Sequence, residues 1–136
     1  MRVGVTVSMV VERRSRRQKE LLSFCLREEC VDGVCFLVST APMVHDAVAH
    51  PGRLLVSPRG QLMLDGEVGQ RAGRFIVVLD EGTTFTEGCL VSRHGSVVHV
   101  GQSFFFDRAG SAFWAGDEVL SLLDDHDAVG VIGIGT

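Results

Sequence analysis

Val3, Val5, Val7, Met9 and Val11 alternate with Gly4, Thr6, Ser8 and Val10, the period of two that predicts a strand with one buried face. From Glu12 to Cys30 the chain changes to straight-chain and charged residues without Gly or Pro, and Leu22, Leu26 and Cys30 recur at helical spacing beside Leu21 and Cys25. That spacing predicts the longest helix, ended by Asp32-Gly33. Val34 to Val38 is apolar on both faces, as expected of a central strand covered on both sides. Pro42 to His50 reads as one or two helical turns stopped by Pro51-Gly52.

Beyond Gly52 the rhythm is that of a meander. Strands are expected at Leu54 to Val56, Leu62 to Leu64, Phe75 to Leu79, Cys89 to Val91 and Val97 to Phe106. Pro58-Arg59-Gly60 and Arg93-His94-Gly95-Ser96 read as hairpin turns, and Gly66 to Gly73 as a looser connection. Phe75, Val77 and Leu79 face one way and Ile76 and Val78 the other, which makes this strand central. Gly101 marks a bulge in the last meander strand. A helix of about eight residues near Gly116-Asp117, carrying Val119, Leu120, Leu122 and Leu123, precedes a closing strand from Ala128 to Ile134.

The expected fold is therefore α+β, a single globular domain over residues 1–136. It has a mostly antiparallel sheet of about six or seven strands, one long N-terminal helix and a shorter C-terminal helix. Strands apolar on both faces need cover on both, and two helices on one face would leave the other for a second copy, hence a homodimer, or for another protein.

Composition narrows the class. Among 136 residues, 46% are hydrophobic and the net charge is -4, which excludes a disordered chain. The N-terminal apolar stretch is interrupted by Thr6 and Ser8 and followed by Glu12-Arg13-Arg14, unlike a signal peptide, and no window reaches the ~18 apolar residues of a membrane span. Cys25, Cys30, Cys35 and Cys89 fit thiols buried as small hydrophobes in a reducing, cytoplasmic compartment.

Candidate chemistry is sparse. Arg13, Arg14, Arg16, Arg17 and Lys19 gather at the start of the first helix, against its macrodipole. They are either a solvated face, with Glu12 and Glu20 in pairing range, or a contact for nucleic-acid phosphates. Asp117 and Glu118 cap the second helix, and Asp124-Asp125-His126-Asp127 reads as a surface turn, lacking the alternation of a calcium loop. Cys25, Cys30 and Cys35, five apart, do not have zinc-knuckle spacing. His45 and His50 are also five apart, one more than the spacing that puts two imidazoles on one helix face. Neither a metal nor a cofactor is expected. Cys89 differs, because a hairpin centred on His94-Gly95 would set it nearly opposite His99, with Asp107 beyond. That arrangement is either a thiol, base and orienting carboxylate, or a core cysteine beside two surface histidines.

Phe104-Phe105-Phe106-Asp107-Arg108-Ala109-Gly110-Ser111-Ala112-Phe113, preceded by a hairpin, resembles the end of viral papain-like deubiquitinases of the herpesvirus tegument type, where an aromatic strand delivers Asp-x-His. Arg108-Ala109 stands where that family needs histidine, so the resemblance implies a relative without activity. Three functional readings follow. The first is a non-enzymatic protein-interaction or regulatory module, a homodimer meeting through an apolar sheet face with Phe105, Phe113 and Trp114 as aromatic contacts. The second is a small cysteine-dependent hydrolase or transferase using Cys89 with His99. The third is a nucleic-acid-binding protein using the Arg13 to Lys19 helix.

Overall fold

In a computed structural model describing residues 16–109 and 116–135, Asp32-Gly33 turns a hairpin instead of ending a helix. Both residues have positive φ, 52° and 80°, as a two-residue type I′ turn requires, and Asp-Gly is among the sequences that favour it. The first helix, α1, covers residues 16–23 and stops where Cys25 turns left-handed at φ 59°. The amides of Phe24 and Cys25 donate back to the carbonyls of Leu21 and Leu22, both at 2.9 Å. The expected helix to Cys30 is thus corrected. Its second half is strand β1 (Leu26–Val31), paired antiparallel with β2 (Val34–Ser39). The helix-forming character of Arg27-Glu28-Glu29 loses to pairing and burial, as local propensity does when tertiary contacts compete with it.

The expected turns at Pro42 to His50 are also overturned, because β3 (His45–Val56) is a twelve-residue strand running through Pro51-Gly52. Gly52 makes that passage possible, since a Cβ there would fall 2.7 Å from Cδ1 of Leu64 and 3.0 Å from the Phe106 ring. Next come β4 (Leu62–Val68), β5 (Arg71–Leu79), β6 (Thr84–Thr86), β7 (Cys89–Val91), β8 (Val97–His99), β9 (Ser103–Ala109), helix α2 (Gly116–Leu123) and β10 (Ala128–Gly135). The looser connection expected at Gly66 to Gly73 is a tight hairpin with Val68 opposite Arg71. Gly101, at φ 88°, divides the expected long strand into β8 and β9.

Among the described residues, two short helices and a mixed seven-stranded sheet, in which two of the seven pairings are parallel, replace the one long N-terminal helix and antiparallel sheet of the expected α+β fold. Seven strands run in the order β1-β2-β5-β10-β9-β3-β4, and β4 pairs back onto β5. Five of them, β5-β10-β9-β3-β4, therefore close into a ring. β5 is the hub, parallel to β10 along one edge, while its other edge is shared between antiparallel β4 and parallel β2. β2 lies beside the start of β4, where the Cys35 amide donates to Gly60 O at 2.7 Å and the Gln61 side chain donates to Cys35 O at 3.0 Å.

Closure sorts the apolar residues into two clusters on opposite faces of β5. Phe75, Val77 and Leu79 point inward with Phe36, Leu54, Leu64, Phe106 and Ile132. Ile76 and Val78 point outward and are covered by Leu21 of α1, Val119 and Leu123 of α2, and Leu26. Each such buried side chain contributes about 1.5–3 kcal/mol. Among the described residues, the two-sided apolar strands are thus covered by elements of the same chain. A separate three-stranded sheet, β6-β7-β8, lays Phe85, Leu90 and Val98 on the inner cluster.

Candidate functional site

Because Phe85, Leu90 and Val98 pair in one row and face inward, the neighbouring row faces outward: Thr86 opposite Cys89 and Cys89 opposite His99. Two turns fix this register. Glu87 and Gly88, at φ 52° and 74°, form a type I′ turn between β6 and β7. In the second turn Ser92 is buried, and its hydroxyl accepts from the amides of His94 at 3.3 Å and Ser96 at 3.0 Å. The amide of Val100 donates to Gly88 O at 2.9 Å, so Cys89 and His99 are a non-hydrogen-bonded cross-strand pair. Side chains approach most closely at such pairs.

Cys89 Sγ lies 3.0 Å from His99 Nδ1. At that separation the thiol S–H donates to an unprotonated Nδ1, or, after proton transfer, Nδ1–H donates to the thiolate. The carbonyl of Glu87 is a weaker acceptor for the thiol at 3.7 Å. The main chain of His99 is held by Gln102, whose Oε1 accepts from the His99 amide at 2.9 Å. The His99 ring is exposed and Cys89 is half-buried.

Asp107 does not join them. It sits within β9, in register with Ala49 and Gly135, and among the described residues no carboxylate hydrogen-bonds to Nε2 of His99. His94 is exposed at the turn tip. Cys30 and Cys35, opposite each other across the first hairpin with Cα atoms 4.0 Å apart, form a disulfide. This corrects the expectation that they are free core thiols and weighs against the reducing compartment expected from them. Cys25 is free and exposed.

The remaining candidates are scattered. Phe105 on β9 is 71% exposed opposite Pro51, whereas Phe113 and Trp114 lie outside the described residues, as do Arg13 and Arg14. Arg16 and Lys19 are exposed, and Arg17 is paired with Glu28 at 2.9 Å. An open depression of about 390 Å³ beside the end of α2 is lined by Leu120, Ser121, Asp124, Asp125, His126 and Ala128. Within it Asp125 Oδ1 accepts from the Asp127 amide at 3.0 Å, making a capped turn. Among the described residues no three His, Cys, Asp or Glu side chains gather as a metal site, and no helix is long and apolar enough to cross a membrane.

Two ionic clusters were not foreseen. His45 Nε2 lies 2.8 Å from Asp80 Oδ2, and Nδ1 of the same ring is buried with no hydrogen-bond partner among the described residues. These residues are 35 positions apart and meet only because β3 and β5 belong to the same closed ring. Arg27 bridges Glu29 at 2.9 Å and Glu81 at 3.1 Å. The hydrogen bond that its guanidinium donates to Glu81, opposed by burial and reinforced by Glu29, raises the Arg27 pKa above the usual value.

Comparison with protein-family models, curated proteins and solved structures returns no significant match to this chain. The likeness of the Phe104 to Phe113 stretch to the viral deubiquitinases gains no support from it.

Proposed function

We propose that Cys89 is a nucleophilic thiol served by His99, and that the protein carries out cysteine-dependent group transfer on the outer face of the β6-β7-β8 sheet. The observation that carries this reading is the 3.0 Å approach of Sγ to Nδ1 on an accessible face. A general base must stand within hydrogen-bond reach of the proton it takes, and it does so here. The chain also supplies an internal reference, because Cys25 is free and more exposed but has no imidazole bonded to it among the described residues. Accessibility alone would favour Cys25. In native protein treated with iodoacetamide at neutral pH, Cys89 is expected to alkylate about tenfold faster than Cys25, and His99→Gln to abolish the advantage. Equal or slower labelling of Cys89 would overturn the reading.

A second reading, association through the β3-β9 surface, is favoured by the exposure of Phe105 together with Val48 at 60%. It predicts self-association in sedimentation equilibrium that Phe105→Ser weakens. A monomer at micromolar concentration would dispose of the homodimer.

A further inference from the structure

We infer that the co-reactant of Cys89 is a small disulfide, and that the pair works by thiol–disulfide exchange rather than acyl transfer. The inference deepens the preceding reading and rests on it. Acyl transfer makes two demands that displacement at sulfur does not. It needs donors aimed at a tetrahedral oxyanion, and an imidazole held in one tautomer and orientation by a third group through the base and acid steps. At this site Asp107 is on another sheet, Nε2 of His99 receives no carboxylate among the described residues, and the ring is open to solvent.

Attack on a disulfide has simpler requirements: a thiolate, in-line access to sulfur, and a proton for the departing thiolate. Cys89 with His99 beside it, on the outward face of the small sheet, offers the thiol, the proton carrier and the access.

The step balances with the disulfide as oxidant. The Cys89 S–H proton passes to Nδ1 of His99. Sγ then attacks one sulfur of R–S–S–R, forming Cys89–S–S–R and breaking the original S–S bond, and the proton on His99 passes to the departing R–S⁻. Cys89 is oxidised and the disulfide is reduced to one bound half and one free thiol. Gly88, at φ 74° with open space where a Cβ would project, and exposed Thr86 lie beside Cys89 and leave its surroundings open to solvent. A compact, hydrophilic disulfide suits such a surface better than an acyl chain needing an apolar groove.

The probe is oxidised glutathione, applied to the intact chain at neutral pH and followed by mass spectrometry with peptide mapping. A glutathionyl adduct at Cys89 is expected to form about tenfold faster than at Cys25, and its rate of formation at Cys89 should be unchanged in a Cys25→Ser background. His99→Gln should slow it to the rate of Cys25. In a parallel arm, p-nitrophenyl acetate should give no turnover above the His99→Gln background. Fast alkylation of Cys89 by iodoacetamide without a preferential mixed disulfide would overturn the disulfide assignment while leaving the reactive thiol standing. Catalytic turnover of the ester dependent on Cys89 would do the same. If neither iodoacetamide nor glutathione distinguishes Cys89 from Cys25, both readings fall together.

Discussion

Gly60 and Gly69 both have left-handed backbones, at φ 83° and 63°, yet their surroundings differ. A Cβ on Gly69 would project into open space, whereas one on Gly60 would strike the carbonyl oxygen of Gly33. The turn at Gly60 is thus pressed against the Asp32-Gly33 turn, and Cys35 donates to the Gly60 carbonyl at the same place. Gly69→Ala should cost about 1 kcal/mol, the left-handed penalty alone. Gly60→Ala adds a backbone collision and should cost at least about 2 kcal/mol. Urea midpoints of the two variants check the order, and a Gly69→Ala loss as large as that of Gly60→Ala would contradict the packed-turn account. Asp80 and His45 make a related point about what a single position reveals. Each is an ordinary polar residue near a strand end, and no local spacing could have paired them.

Among elements, those with clean alternation or unambiguous turn residues are the readable ones. The β7-β8 hairpin, α2, β10 and the two faces of β5 follow from alternation and turn chemistry, as does the opposition of Cys89 and His99. β1 and the first half of β3 were misread because Leu26 to Cys30 carries helix-forming residues and Pro51-Gly52 looks like a stop. Both segments become strands through pairing, β1 with its hairpin neighbour β2 and β3 with distant β9, and that pairing outweighs the local helix-forming and stop signals. The Cys30–Cys35 disulfide was hidden by the same misreading, since five-residue spacing joins two cysteines readily across a hairpin and poorly along a helix. Ser92 tests how the β7-β8 turn controls the site. Replacing it with Ala removes the acceptor of two backbone amides at a buried position, which should cost about 1–3 kcal/mol. If the turn sets the register of the pair, Ser92→Ala should also shrink the labelling advantage of Cys89 over Cys25. Unchanged stability and labelling would show that the strands alone hold the register.

At the scale of the molecule, β5 links the closed ring, the β1-β2 hairpin and both apolar clusters. Residues 74–76 have β4 on one edge and β10 on the other, and residues 78–79 have β2 and β10. The inner cluster covers one face of the strand and the helices cover the other. No local fraying can expose this strand, because freeing either edge requires opening the ring or detaching the hairpin. Among the described residues β1 has only β2 beside it, and β6 and β8 flank β7 at the edges of the small sheet. Local openings cost less free energy than global unfolding, and backbone amides report which of the two each segment needs. Hydrogen exchange should therefore find the amides of residues 75–79 protected to the level of global unfolding. The amides of β6 and β8 should exchange through cheaper openings, by about 2 kcal/mol or more. This ordering bears on function, since the Cys89–His99 row would then lie on a subunit of the fold that opens without unfolding the barrel. Equal protection across β5 and β8 would mean that the small sheet and the barrel unfold as one unit, leaving the thiol reactive only in the geometry of the native state.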